Sequence, residues 1–354
     1  MLLYFLQLIG LLVAGYALGK VINLVTLITK EFTEPIVCTL EDPDSTAPVP
    51  CPSIFDAPTK ALSCIVPAYN EEDRLSSTLD EALAYLQRRR DRQGPQFTYE
   101  VIIVDDGSTD GTARVAQGYV RRYGLDTVRL LRVSSNRGKG HAVKRGMLVS
   151  RGEYCLLMDA DGATRFADLE KLEAGLERVM QPGFSRSPRP SPSAAPTTAT
   201  SPSSASSGGP SQQGPLGVAY GSRAHLHKDA IVKRSRLRNF LTRGFHVLVY
   251  LVAGGRVRDT QCGFKLFTRR SAAILFSNQR LQRWCFDVEL LYLAEQLGIP
   301  VTEVFVNWTE IPGSKIRFTS IILMALELAV LKIAYQVMGS WAIHSEVMLA
   351  KKAT

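Results

Sequence analysis

Glu153-Tyr-Cys-Leu-Leu-Met-Asp159-Ala-Asp161-Gly162 is the stretch whose reading decides the fold. The apolar run from Cys155 to Met158 predicts a buried strand, which leads directly into two carboxylates one residue apart and a turn-forming glycine. Both acids then fall at a strand's carboxyl end, where ligands collect in an open α/β sheet. Two hard oxygen ligands there suit Mg²⁺ or Mn²⁺ shared with substrate phosphates. A polar turn leaving a strand would carry the same residues.

Outward from this stretch, strand and helix signals alternate. Ala61–Val66, Tyr99–Val104, Thr127–Val133 and Tyr154–Met158 read as strands, and Arg74–Arg90, Asp110–Tyr123 and His141–Ser150 as helices. That alternation predicts a mostly parallel sheet with helices on both faces. A further strand is expected at 216–223 and a long helix from about Ile231 to Val252.

Each strand exit carries chemistry. The first ends in Val66-Pro67-Ala-Tyr69-Asn70-Glu71-Glu72, where the proline fixes a turn, the tyrosine can lie against a base and the acids can accept from base or ribose. The same residues also suit a helix start. The second ends in Val104-Asp105-Asp106-Gly107-Ser-Thr-Asp110. Asp105 and Asp106 can bond a base imide or ribose hydroxyls, Gly107 lets backbone approach a ligand, and Asp110 can cap the helix beginning at Thr112.

Three such loops in this order resemble glycosyltransferase family two, whose members have the nucleotide-sugar-binding, Rossmann-like glycosyltransferase A fold. Within that family the chain is more similar to the polyprenyl-phosphate sugar transferases. The motifs are Asn136-Arg-Gly-Lys139-Gly-His-Ala-Val-Lys-Arg-Gly146, Asp159-Ala-Asp161-Gly-Ala-Thr164, Gly221-Ser-Arg223, Asp259-Thr-Gln-Cys-Gly-Phe-Lys265 and Arg283-Trp-Cys-Phe-Asp287-Val-Glu289. The resemblance spans about residues 61 to 320.

It implies that Pro67, Tyr69, Glu71 and Asp106 line a nucleotide site and that Asp159 and Asp161 hold the metal. Lys139, Asp259, Lys265 and Lys315 fall on the donor side, Lys315 toward the diphosphate. Arg223 and Arg234 fall where similar enzymes grip the acceptor phosphate, although each would equally serve as a solvated surface cation. The implied donor is UDP-glucose and the implied acceptor dolichyl phosphate, used with inversion at the cytosolic face of the endoplasmic reticulum membrane. Transfer of mannose from GDP-mannose, or a catalytically dead membrane scaffold, are the competing readings.

Asp287 and Glu289 stand where relatives acting on hydroxyl acceptors keep a base. Residues two apart on a helix face different sides, so one of them is expected to reach the cleft, orienting the sugar or Lys265. Two departures from the family pattern stand out. Ala163 replaces a glutamine metal ligand of related mannosyltransferases, and Arg280 breaks the signature of processive polysaccharide synthases. Asn307-Trp-Thr309 is a glycosylation sequon, chemically silent on a cytosolic domain.

Composition bounds the remainder. The 354 residues, 45% apolar, are enough for a full core, and a formal charge of +9 favours anionic partners. Scattered charge and the absence of zinc-finger or basic-heptad patterns argue against nucleic acid. The six cysteines show no CxxC pair, which points to a reducing compartment.

Residues 1–30 are expected to be an N-terminal transmembrane helix, with Lys20 and Lys30 placing the main domain in the cytosol. Residues 31–60 read as a Pro-rich linker and 61–318 as the catalytic domain, with a disordered Ser/Pro insertion at 181–215. In the last segment, 319–354, Glu327, Lys332, Gln336, Ser340 and His344 form a polar stripe along an apolar helix. That pattern suggests an amphipathic helix in the membrane interface; a core helix or a second span fit as well. A homo-oligomer is left open by the sequence.

Overall fold

The computed structural model describes residues 39–42, 49–181, 214–226, 257–311 and 318–346, with isolated positions between 15 and 28 and at 249, 250, 254, 348 and 349. Its centre is a seven-stranded sheet. In chain order the strands are β3 (Lys60–Ala68), β4 (Tyr99–Asp105), β5 (Val128–Arg132), β6 (Gly152–Met158), β7 (Val218–Ser222), β8 (Phe264–Thr268) and β9 (Val301–Phe305), arranged β5-β4-β3-β6-β8-β7-β9. Every residue of β4 is buried, as expected of a strand covered on both faces.

Parallel pairing of β3 with β4 and β6, and of β4 with β5, requires crossover connections. These are α1 (Glu72–Gln93), α2 (Thr112–Tyr123) and α3 (Lys139–Leu148); α4 (Leu169–Met180) follows β6. β8 runs antiparallel to both β6 and β7, so "mostly parallel" holds, with one reversed strand among those described. Alternation along β3 divides the core. Cys64 and Val66 join the cluster on one face of the sheet, and Ile65 joins the cluster on the other.

Register aligns the exits. Ala68 stands opposite Asp105, Asp105 opposite Arg132, and Ile65 opposite Leu157, so β3, β4 and β6 end along one rim. This places the polar loops singled out above side by side.

Part of the segment expected as a linker lies on the domain. β1 (Thr39–Leu40) pairs with β2 (Val49–Pro50), and the Glu41 amide donates to the Leu130 carbonyl at 3.0 Å. Ile54 is fully buried and its amide donates to the Leu148 carbonyl. The buried Arg269 guanidinium donates to the carbonyls of Ser150, Gly152, Ser53 and Asp56, clamping this segment to the start of β6.

Among the described residues no helix is long and apolar enough to cross a membrane. The expected anchor at 1–30 lies mostly outside the described residues, as do most of the insertion and most of the expected helix from Ile231 to Val252. Arg234 and Lys315 also fall outside them.

Two helices follow β8: α5 (Arg269–Asn278) and α6 (Phe286–Gln296). A further helix, α7 (Phe318–Lys332), continues as a π turn over Ile333–Val337. Met324, Leu328, Leu331 and Ala334 are buried in the core, while Leu323, Leu326, Val337 and Met338 face outward. Glu327 does not belong to an outer polar stripe: it is buried on the inner face.

Candidate active site

The β3 and β4 exits are laced together by side chains. Asn70 adopts the left-handed conformation (φ 52°), its amide donates to Ser108 Oγ at 2.9 Å, and its Oδ1 accepts from the Thr109 amide at 2.9 Å. The Glu71 amide donates to Thr112 Oγ1, and its carboxylate pairs with Arg74. Pro67 and Tyr69 are half-buried on the same rim.

The three aspartates at the end of β4 and in the loop that follows have separate roles. Asp105 is fully buried and accepts from the Ser108 amide at 3.0 Å, with Arg132 Nε at 3.5 Å from its second oxygen, so it builds the turn. Asp110 accepts from the Thr112 amide at 3.0 Å, the capping role open to it in the sequence. Asp106 accepts from the Arg137 and Gly138 amides at 3.1 and 2.7 Å, tying the β4 loop to the start of α3. Burial pushes its carboxyl up to about 6, against the pull of those two amides. Gly107, at φ 71°, admits chain rather than ligand: a Cβ there would stand 2.6 Å from the Ser135 carbonyl carbon.

At the β6 exit Asp159 Oδ1 meets Lys139 Nζ at 2.5 Å, and a Cβ on Gly263 would overlap the Asp159 carboxylate. Asp161 Oδ1 accepts from the Ala163 amide at 3.0 Å. The Ala163 carbonyl accepts from the Thr309 amide at 2.8 Å, and Thr164 bridges to Trp308, so this loop is held against the chain that leaves β9.

Lys265 is fully buried; its Nζ donates to Asp287 Oδ1 at 2.7 Å and to the Cys262 carbonyl at 2.5 Å, and lies 5.2 Å from the Tyr220 ring centroid. Burial pushes the Asp287 carboxyl up, and Lys265 and Lys139 offset only part of that rise. Burial works against the Lys139 charge, yet Asp159, Asp287 and Asp161 more than offset it and raise its pKa, which keeps it an ammonium. Asp159, Asp161 and Asp287 thus alternate with Lys139 and Lys265 around one corner of the rim.

Arg223, just past β7, forks onto Asp259 with Nε–Oδ2 at 2.7 Å and Nη2–Oδ1 at 2.9 Å, and its guanidinium lies 5.2 Å from the Trp308 ring centroid. Burial opposes ionisation of Asp259, but the Arg223 contacts win and hold it low. Asp259, expected on the donor side, is therefore the partner that orients Arg223.

Glu289 corrects the sequence reading that set it beside Asp287 as a catalytic candidate. Its carboxylate accepts from the amides of Arg280 (3.0 Å) and Leu281 (2.7 Å) and from the Tyr335 hydroxyl (2.9 Å). It is fully buried and turned from the cleft, because residues two apart on α6 face different sides.

Trp308, Tyr220 and Gly263 were not singled out in the sequence. Trp308 sat in view only as the middle of a sequon, whose Asn307 Nδ2 here donates to Asp168 at 3.1 Å.

Among the described residues no three His, Cys, Asp or Glu side chains converge on a metal position. Two half-exposed carboxylates with an ammonium already standing at one of them still fit a Mg²⁺-type ion, which uses one or two carboxylates and completes its shell with water and phosphate. Ala163 adds no side-chain ligand.

The sequence profile of glycosyl transferase family 2 matches residues 63–182, from β3 through α4, the span that carries the Asp105, Asp106, Asp159 and Asp161 loops. Dolichyl-phosphate beta-glucosyltransferases are similar over most of the chain. The human protein is 47% identical, covering 83% of this chain and 81% of its own length. The Drosophila melanogaster protein is 47% identical over 87% and 85%, and that of Saccharomyces cerevisiae 36% identical over 77% and 75%. The chain belongs to the dolichyl-phosphate beta-glucosyltransferase group of glycosyl transferase family 2. It is a glycosyltransferase with a glycosyltransferase A-like α/β fold.

Proposed function

We propose that the protein transfers glucose from UDP-glucose to dolichyl phosphate with inversion, giving dolichyl β-D-glucosyl phosphate, a lipid-linked glucose donor for protein N-glycosylation. The observation that carries this reading is the cluster of Asp159, Asp161 and Asp287 with Lys139 and Lys265 at the strand exits, in a chain so similar to enzymes of that name.

The acceptor is a phosphate already ionised near neutral pH, so its attack on C1 of the glucose hardly needs a general base. Asp287 accords with that view, since its carboxylate is committed to Lys265. The chain's task is to position two anions in line and offset their charge. Lys139 and Lys265 supply fixed positive charge on the donor side. Arg223, oriented by Asp259, presents a guanidinium for the acceptor phosphate. A divalent cation held by Asp159 and Asp161 would neutralise the departing diphosphate.

The outward Leu323, Leu326, Val337 and Met338 of the C-terminal helical segment would rest on the lipid surface that holds the acceptor. With an N-terminal anchor as well, such a contact would hold the enzyme at the endoplasmic reticulum membrane with its rim in the cytosol.

Incubating membranes that carry the protein with radiolabelled UDP-glucose or GDP-mannose tests the reading. Glucose is expected in the chloroform-soluble lipid, in a metal-dependent manner. Label from GDP-mannose alone would replace glucose by mannose, and label from neither would return the dead-scaffold reading.

A further inference from the structure

The segment 279–285 links the rim to the outer helix at both ends. On the rim side, the carbonyls of Gln282 and Arg283 accept from the amides of His141 and Gly140, in the first turn of the helix that carries Lys139. On the outer side, Arg280 donates to the Tyr335 hydroxyl at 3.1 Å and to the Ala342 carbonyl at 2.8 Å, with the Trp341 ring centroid 5.3 Å away.

Just after these contacts comes Cys285, the N-cap residue of α6, which makes no side-chain cap of its own. The first amides of a helix need acceptors from outside it. Here the Glu327 carboxylate, from α7, accepts from the Cys285 amide at 2.9 Å, while the Cys285 thiol donates to the Met324 carbonyl at 3.3 Å. Two residues further along α6, Asp287 holds Lys265.

A buried acid on an otherwise apolar helix face needs a partner, and this one finds it at the start of the helix that enters the site. We infer that Glu327 is a positioning residue: through the Cys285 amide it sets the first turn of α6, and with it the Asp287 carboxylate, from the helix at the protein's outer face. Nothing in α6 itself supplies this acceptor. The geometry of the rim therefore depends on how α7 is seated.

The test compares the full chain with Glu327→Gln and Glu327→Ala in lipid nanodiscs, by amide hydrogen exchange over 282–289 and by glucosyl transfer. The glutamine oxygen can still accept from the Cys285 amide, so Glu327→Gln should keep exchange and kcat within about threefold of the wild type. Glu327→Ala should speed exchange in the first turn of α6 and lower kcat about tenfold or more, with KM for UDP-glucose little changed, because misplacement of a positioned group acts on turnover.

Unchanged exchange in Glu327→Ala overturns the inference, as does full kcat with faster exchange or a glutamine variant no better than alanine. A drop confined to the fraction of folded protein, read from the thermal midpoint, also overturns it. The kinetic arm rests on the glucosyl-transfer reading. Should the wild type fail to transfer glucose, that reading falls, and the exchange comparison still decides whether Glu327 sets the turn.

Discussion

Replacing Glu289 by glutamine separates structure from chemistry on α6. The carboxylate receives two backbone amides and a tyrosine hydroxyl in a fully buried place. An amide in its stead keeps one oxygen and turns an NH₂ toward the Arg280 or Leu281 amide, leaving a buried donor facing a donor. An unsatisfied buried group costs about 1–3 kcal/mol, and conversion of charge-assisted bonds to neutral ones adds about 1 kcal/mol, so a loss of about 2–4 kcal/mol follows. At about 2–4 °C per kcal/mol for a domain of this size, the thermal midpoint should fall by about 4–16 °C. The assay is thermal unfolding of the full chain in detergent, paired with UDP release measured well below the variant's midpoint. There kcat should remain within about threefold of the wild type, because no oxygen of Glu289 reaches the rim. A hundredfold loss of kcat at an unchanged midpoint would refute the reasoning and return Glu289 to the chemistry.

Asp161→Ala should abolish turnover while the far-ultraviolet circular dichroism and thermal midpoint stay near those of the wild type; near-normal UDP release in this variant would remove Asp161 from the metal. His141 is pushed down to about 4, first by burial and then by Arg145, Arg137 and Lys144. The unfolded chain takes up that proton below about 6.5 and the folded one resists it until about 4, so stability falls as pH drops through this window, by up to about 3 kcal/mol. Urea unfolding at pH 7 and pH 4.5 should show the wild type losing about 2–3 kcal/mol more than His141→Gln, and parallel losses would count against it. Deleting residues 186–213, a Ser/Pro-rich stretch, should leave glucosyl transfer largely intact in membranes, and a collapse of activity there would give the segment a role.

Period and punctuation were enough to place β3 to β7 and the rim, but not β8 and β9. Continuous apolar runs ending in Asp105-Asp106 and Asp159-Ala-Asp161 could be strands only in a sheet covered on both faces, and parallel connection puts their exits at one end. The alternative carried by the i, i+2 spacing of Asp287 and Glu289 was also readable: only one of the two could face the cleft. Which one could not be read, because that depends on what packs against each side of α6. Tertiary contact gave Asp287 to Lys265, from β8, and Glu289 to the backbone of Arg280 and Leu281.

The same limit explains the other differences. The four-residue repeat from Lys332 to His344 drew the nearby Glu327 into a polar stripe, yet a period cannot say that an amide in need of an acceptor belongs to Cys285, 42 positions earlier. Asp259 pairs with Arg223 across 36 positions, and Lys139 with Asp159 across two elements. The proline-containing stretch at 39–56 read as a tether because no local pattern reveals the carbonyls that a buried Arg269 collects from it. By itself, then, the sequence determined the strands from β3 to β7, their polar rim and the residue types gathered there, since these follow from local periodicity and chain connectivity. Only the tertiary structure decided which of those side chains face the rim and which are consumed in holding it, because a carboxylate's role is set by the donors that folding brings within 3 Å of it.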